Sequence, residues 1–326
     1  MSALPQQADI AGWPQIVRFV PIADIAARGR GHVIKKAVPQ GKELRLHNGG
    51  IMSQSGIDLE AFRSFERTAH DKLAGSYHDA FSAVTNRAIE PLLDAAQVGV
   101  GTRLLDVASG PGTLAAKAAQ RGAHVVGVDI APAMVALAHK LHPHLDFREA
   151  SAEELPFAPS SFDSVVSSFG IGHFSRPERV LTEFARVLVP KGRAVLSWWD
   201  GFAQNRINGI FFDAINELGV KAPGALPAGP PVDQFSNADK FAEILQSAGF
   251  EVIGTNYVSF SHPIQSVDEL WNLALGSFVR ASAVIRAQNL DVQEHIRRTI
   301  ERAVQQYASP NGFNIPIAFR VVAGVH

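Results

Sequence analysis

The chain has 326 residues, enough for one large or two ordinary domains, and its 46% hydrophobic and 19% charged residues are typical of globular proteins rather than disordered or fibrous ones. It contains no cysteine, which excludes disulfide frameworks, cysteine-ligated zinc or iron–sulfur sites and thiol nucleophiles. Thirty basic residues are balanced by 31 acidic ones, so no global charge favours nucleic acid or an anionic membrane as a partner.

The first 51 residues differ from the rest of the chain. They carry seven basic and three acidic residues, and four prolines interrupt every candidate helix. A regular apolar pattern begins only after Met52. This predicts a poorly ordered N-terminal arm of residues 1–51 and a single domain of residues 52–326. The sequence shows neither the features of a secretory signal nor a run of 18 apolar residues, so we expect a cytoplasmic protein.

Helical and strand patterns alternate after Met52. Apolar residues between Leu59 and Ala69 follow helical spacing. Strands are then predicted at residues 103–107, 124–128, 145–149, 162–168 and 193–198, with helices at 114–120, 134–141 and 179–188. Nearly continuous apolar strands that alternate with helices indicate a parallel sheet covered on both faces.

The last third of the chain has a different order of elements. Helices are predicted at residues 207–218, 240–248, 267–283 and 292–307, and strands at 251–259 and 315–323. A link rich in proline and glycine, residues 223–231, lies between the first two helices.

A glycine-rich loop follows the first predicted strand. Ser109, Gly110 and Gly112 precede a helix, where glycine lets the backbone approach a ligand and the helix N-terminus offers unpaired N–H groups. Asp129 lies 19 residues after Gly110, at the end of the second strand, where an acid holds a ribose in dinucleotide sites. A carboxylate at Asp106 would repel a pyrophosphate but attract an ammonium group. A nucleoside with a cationic amino-acid tail meets both requirements, and S-adenosylmethionine is such a ligand.

The loop belongs to a series of motifs that resembles the class I S-adenosylmethionine-dependent methyltransferases, most closely the small-molecule branch with the ubiquinone/menaquinone C-methyltransferases. The similar segments are residues 104–112, 126–134, 150–157, 162–168 and 188–193, in the family's order. The resemblance implies an α/β fold with a Rossmann-like, doubly wound, seven-stranded sheet whose last strand is antiparallel. It also implies an inserted helical lid, formed near residues 200–235 and 266–309.

The resemblance further assigns residues to the cofactor, S-adenosyl-L-methionine. It places Asp106 near the amino group and Asp129 on the ribose, with the adenine flanked by Ile130 and the loop that contains Glu153. Tyr77 resembles a tyrosine that closes over the cofactor, although packing of an amphipathic helix also accounts for it. The implied cofactor-binding residues are Tyr77, Asp106, Ser109, Gly110, Gly112, Asp129, Ile130, Met134, Ala152, Glu153 and Ser168.

Candidates for the chemistry follow the fourth and fifth strands. His173 is the best-placed histidine for a general base, with packing as the alternative reading. Four aromatic residues near strand ends are candidates for a substrate pocket or for core packing: Phe169, Phe174, Trp198 and Trp199. The remaining histidines have no neighbouring carboxylate cluster in the sequence that completes a ligand set, so no metal site is predicted.

Three functions stay open on the sequence alone. The first is methyl transfer to a small, apolar or aromatic metabolite, and the second is a nicotinamide-dependent oxidoreductase, which Asp106 opposes. The third is a non-catalytic protein that binds S-adenosylmethionine. We expect a small-molecule substrate, no nucleic acid and no stable membrane insertion, and a homodimer is compatible with the sequence.

Overall fold

The computed structural model describes residues 57–326, and the predicted arm lies outside them. The described strands are β1 (Arg103–Val107), β2 (His124–Asp129), β3 (Asp146–Glu149), β4 (Phe162–Ser168), β5 (Leu188–Trp199), β6 (Glu251–Ile264), β7 (Ala308–Ser309) and β8 (Gly312–Val325). The described α-helices are α1 (Leu59–Thr85), α2 (Ile89–Ala95), α3 (Thr113–Gln120), α4 (Pro132–Leu141), α5 (Pro177–Val187), α6 (Arg206–Glu217), α7 (Asp233–Ser236), α8 (Ala238–Ser247), α9 (Val267–Ser277), α10 (Val279–Arg286) and α11 (Leu290–Val304).

The strands form one sheet in the order β3-β2-β1-β4-β5-β8-β6, with the two-residue β7 paired to β8. Strands β1 to β5 pair in parallel, whereas β8 is antiparallel to both β5 and β6. The predicted Rossmann-like sheet with an antiparallel last strand is therefore confirmed. Because the strand order reverses between β1 and β4, a crevice opens at the carboxyl ends of these strands, where ligands of such sheets bind.

The elements predicted from the sequence occur in the predicted order, the structure adds the short helices α2 and α7, and β5 begins five residues earlier than predicted. The stretch at 267–283 is two helices, because Phe278 adopts an extended conformation (φ −91°, ψ 92°) that ends α9 and begins α10. Strands β6 and β8 are longer than predicted. They pair from Glu251 with Val325 to Ile264 with Phe313, with one register shift between Val252 and Gly254, so their long ladder extends beyond the predicted ends.

Two large apolar clusters hold the described residues together. The first lies between the sheet and its flanking helices and includes Leu104, Val165 and Phe184. The second joins α1 to α6, α9, α10 and α11 and includes Phe81 and Phe211. No helix within residues 57–326 has both the length and the hydrophobicity required to cross a membrane.

Candidate functional site

One cavity at the carboxyl end of the sheet is called here the Asp106 cavity. Its wall includes Tyr77, Asp106, Ser109, Gly110 and Ser168, all of them predicted cofactor residues. Asp106 is 1% exposed, and its Oδ2 atom has no hydrogen-bond partner among the described residues. Burial, helped by the charge of Asp129, raises the pKa of Asp106 to about 7. A buried, unpartnered carboxylate oxygen in a cavity wall suits a ligand that brings a cationic donor.

The glycine loop owes its shape to left-handed backbone conformations. Gly112 precedes α3 with a φ of 81°. A Cβ atom at this position would lie 2.5 Å from Cζ of Phe147, so a side chain is excluded by both conformation and space. Gly112 thus packs against Phe147 and fixes the conformation of the loop, while Gly110 contributes to the cavity wall.

The second cavity, the Asp129 cavity, shares Ala108 as a wall with the first. Four of the predicted cofactor residues line it: Asp129, Ile130, Ala152 and Glu153. Asp129 accepts hydrogen bonds from the backbone N–H groups of Gly110 and Ala131, each 2.9 Å long. Burial raises the pKa of Asp129 against the lowering effect of these donors. Each carboxylate oxygen keeps a further lone pair, so Asp129 can still accept from ligand hydroxyls.

Two predicted cofactor residues also make contacts outside the cavities. The carboxylate of Glu153 accepts from the hydroxyl of Ser175 and from the backbone N–H (3.0 Å) and Nη1 (3.1 Å) of Arg176. Glu153 therefore anchors the segment beside the Asp129 cavity. Met134 is 2% exposed and packs with Ala74 and Ala131, between α4 and α1. Met134 therefore packs between these two helices and does not line the Asp106 or the Asp129 cavity.

The third cavity, the aromatic pocket, has a volume of about 310 Å³. Its aromatic lining comes from α1, the ends of β4 and β5, α6 and the α9–α10 junction, and comprises Tyr77, Phe81, Phe169, Trp198, Trp199, Phe202, Phe212 and Phe278. The rings of Phe169 and Trp199 are stacked, with centroids 3.9 Å apart. Three predicted substrate residues thus line one pocket, whereas Phe174 lines the Asp129 cavity instead.

Tyr77 connects two of the cavities, because it lines both the Asp106 cavity and the aromatic pocket. Burial raises its pKa to about 12. The phenol of Tyr77 therefore stays protonated at neutral pH and presents a neutral hydroxyl where the two cavities meet.

Three polar side chains form a second connection, and His173 is the one among them that the sequence predicts as a site residue. Glu66 and His173 line both the Asp129 cavity and the aromatic pocket, and His70 lines the pocket. Nδ1 of His173 lies 2.9 Å from Oε2 of Glu66, and Nδ1 of His70 lies 2.8 Å from the backbone oxygen of Glu66. Burial acts to raise the pKa of Glu66, but the hydrogen bond and charge of His173, with the charges of His70 and Arg280, outweigh it and the pKa is lowered. Ionised Glu66 holds the proton of His173 on Nδ1, which leaves Nε2 free to accept another.

The same three side chains could be considered as metal ligands, since their ligating atoms lie within 4.8 Å of one another. In the structure, the carboxylate of Glu66 is hydrogen-bonded to Nδ1 of His173, and the backbone oxygen of Glu66 is hydrogen-bonded to Nδ1 of His70, so both imidazole rings are held in place. Glu66 and His70 are one helical turn apart, but 107 residues separate Glu66 from His173. No local sequence pattern therefore predicts the contact between Glu66 and His173.

The chain resembles known methyltransferases over most of the described residues. Residues 105–196 match the family model described as a methyltransferase domain. The chain is 37% identical over 158 residues to a demethylmenaquinone methyltransferase of Chlorobaculum parvum, a match that covers 46% of this chain and 66% of the relative. The chain thus spans just under two thirds of that relative's length. The chain is also 32% identical over 215 residues to the ubiquinone/menaquinone biosynthesis C-methyltransferase UbiE of Rhizobium leguminosarum, a match that covers 61% of this chain and 79% of the relative. The chain belongs to the class I S-adenosylmethionine-dependent methyltransferases.

A solved structure supports the fold of this methyltransferase. A putative methyltransferase from an antibiotic biosynthesis pathway of Anabaena variabilis is 20% identical, with 72% of this chain and 96% of that chain covered and a TM-score of 0.52. Membership of the family separates the chain from the nicotinamide-dependent oxidoreductases that the glycine loop by itself also allowed.

Proposed function

We propose that this methyltransferase transfers the methyl group of S-adenosylmethionine to a small aromatic acceptor held in the aromatic pocket. The observation that carries the proposal is the buried, unpartnered Oδ2 of Asp106 beside the glycine loop. A ligand with an ammonium group supplies the partner that this oxygen lacks. The shared walls support the same ligand, because Ala108 joins the Asp106 and Asp129 cavities and Tyr77 joins the Asp106 cavity to the aromatic pocket.

Each part of the cofactor has a matching group in this arrangement. Asp106 binds the ammonium group, and Asp129 accepts from the ribose hydroxyls while its bonds to Gly110 and Ala131 keep it in place. Ile130 and Ala152 provide apolar walls for the adenine in the Asp129 cavity. These assignments place the methyl-bearing end towards the aromatic pocket.

The chain contributes to the reaction mainly by position. Bound S-adenosylmethionine supplies a methyl group on a sulfonium, and transfer forms a bond from acceptor to methyl while the carbon–sulfur bond breaks and its electron pair stays on sulfur. The stacked rings of Phe169 and Trp199 orient a flat acceptor and exclude water. Nε2 of His173 receives the proton that the acceptor loses, and the resulting imidazolium is stabilised by Glu66.

Calorimetry followed by a labelling assay tests the proposal. We expect the protein to bind S-adenosylmethionine and S-adenosylhomocysteine but not NAD. With methyl-labelled cofactor, label should pass to members of a panel of phenols, quinols and aromatic acids. Binding of NAD without S-adenosylhomocysteine would contradict the cofactor assignment. Cofactor binding without label transfer to any aromatic compound or metabolite extract would favour a non-catalytic protein.

The role of His173 is tested by substitution. We expect His173→Ala to lower kcat by about 10²- to 10⁴-fold, the usual contribution of a general base, while S-adenosylhomocysteine affinity holds. Glu66→Gln should lower kcat with little effect on KM, and Glu66→Asp should restore part of the loss, because Glu66 acts by orienting His173. The control is His295→Ala, an exposed position on α11. Full activity of His173→Ala would make His173 a packing residue.

A further inference from the structure

One wall of the aromatic pocket carries a cation whose donors are mostly unused. Arg280, at the start of α10, lines the pocket. Its Nη1 donates to the backbone oxygen of Pro227 at 3.1 Å, and Arg280 forms no salt bridge within residues 57–326. A guanidinium has five N–H donors in a planar fork, so most of its hydrogen-bonding capacity remains free.

A polar group with no partner among the described residues lines the same pocket. Ser277, the last residue of α9, lines the pocket and is 5% exposed. Its Oγ has no hydrogen-bond partner among the described residues. The extended residue Phe278 ends α9 and places Ser277 and Arg280 on either side of the break. The unused N–H groups of Arg280 and the hydroxyl of Ser277 are donors that a ligand with acceptor oxygens can satisfy.

The acidic groups around the pocket do not occupy Arg280. Asp200 is paired with Arg320 at 3.0 Å, and Glu66 is hydrogen-bonded to His173 at 2.9 Å. Asp233 is exposed at the rim. Burial lowers the pKa of Arg280, and the charge of Glu66 opposes this effect, but a guanidinium keeps its charge in proteins. Arg280 is therefore a cation in the pocket lining that forms no salt bridge among the described residues.

We propose that Arg280 and Ser277 form a subsite for a carboxylate on the aromatic acceptor. The inference rests on the proposed function, since it assumes that the acceptor occupies the aromatic pocket. The planar fork of Arg280 matches the two oxygens of a carboxylate, and the hydroxyl of Ser277 adds a third donor. A carboxylate held there fixes the ring in one orientation relative to His173 and the cofactor cavities. The acceptor class is thus aromatic carboxylic acids in preference to neutral aromatics.

Calorimetry with three ring-matched probes tests this subsite in the full chain saturated with S-adenosylhomocysteine. The probes are 2-naphthoate, its neutral isostere 2-naphthamide, and 2-naphthol. We expect 2-naphthoate to bind at least about 10-fold more tightly than either other probe, as charge-assisted bonds to a buried guanidinium favour the anion. Arg280→Met should weaken 2-naphthoate about 10- to 100-fold and 2-naphthamide less than about 3-fold. Arg280→Lys should be intermediate because the charge remains and the fork is lost.

The control is Arg286→Met, on the same helix, whose side chain donates to the backbone oxygen of Leu275. It should leave the affinities for all three probes unchanged. Equal affinities for 2-naphthoate and 2-naphthamide in the unmodified protein would overturn the proposal, and this measurement requires no variant to fold. Tightest binding of 2-naphthol would also overturn it.

The two proposals fail separately. The three probes are also titrated into the cofactor-free protein. Absence of S-adenosylhomocysteine binding, with the 2-naphthoate preference and its dependence on Arg280 intact in the cofactor-free protein, would refute the methyl-transfer proposal and leave a carboxylate-binding site in the pocket. Cofactor binding and methyl transfer to neutral aromatics, with no preference for 2-naphthoate, would refute the subsite and leave the proposed function standing.

Discussion

The substitution Asp106→Asn tests two effects of one buried charge: the loss of folding stability that it causes and the affinity for the cofactor that it provides. Folding raises the pKa of Asp106 from 3.8 to about 7, chiefly through burial. A carboxyl group with a raised pKa destabilises the folded state increasingly as pH rises from about 4 to 7. At 1.36 kcal/mol per pH unit, a difference of about 3 units corresponds to about 4 kcal/mol above pH 7. Asparagine removes the charge but introduces an amide with incomplete hydrogen bonding, so the net gain is smaller, about 2 to 3 kcal/mol.

Urea denaturation of the cofactor-free protein measures this gain. We expect Asp106→Asn to be more stable than the unmodified protein at pH 8 and to lose that advantage at pH 4, where Asp106 is protonated. The same variant should bind S-adenosylhomocysteine about 10- to 100-fold more weakly, because the ammonium group loses its charged partner. Higher stability combined with weaker binding is the signature of a charge that the fold retains for a ligand.

Proton release supplies an independent measurement. At pH 6 free Asp106 is largely protonated, and pairing with an ammonium group lowers its pKa, so binding should release nearly one proton. Calorimetry in two buffers of different ionisation enthalpy detects this proton in the unmodified protein and its loss in Asp106→Asn. The control is Asp163→Asn. Asp163 lines none of the three named cavities, and the hydrogen bond from Arg103 lowers its pKa, so Asp163 is already ionised at pH 6. A pH-independent stability difference, or unchanged affinity in Asp106→Asn, would refute the reasoning.

Two further substitutions test the loop and the ribose contact. Asp129→Ala should weaken S-adenosylhomocysteine binding by about 1 to 3 kcal/mol, measured by calorimetry, because ligand hydroxyls lose their acceptor; unchanged affinity would contradict the assignment. Gly112→Ala should lower the free energy of unfolding by about 2 to 4 kcal/mol in urea, since the left-handed backbone and the ring of Phe147 both oppose a Cβ. The control is Gly101→Ala, because Gly101 has a φ of 80° but nothing lies within 4 Å of the added carbon. This substitution should lower the free energy of unfolding by about 1 to 2 kcal/mol, and an equal loss in Gly112→Ala would show that Phe147 does not oppose the Cβ.

The sequence predicted the sheet and the cofactor half of the candidate site because both depend on local order. Asp106, the glycine loop and Asp129 occupy consecutive strand–loop–helix units. In a parallel sheet with β1 beside β2, the ends of these units must meet at one edge. Alternating apolar strands and helices therefore determine both the fold class and the place where Asp106 and Asp129 lie close together.

The proposed acceptor half of the site depends on tertiary structure. Glu66 reaches His173 because α1 packs over the carboxyl ends of the strands, and that contact joins residues 107 positions apart. Sequence periodicity predicted one helix across Phe278, yet packing of α9 and α10 against the second apolar cluster breaks it there and brings Ser277 and Arg280 to the pocket. Local patterns determined which residues could form strands and a nucleoside site. Long-range packing determined which polar side chains share a cavity, because that depends on contacts no neighbouring residues encode.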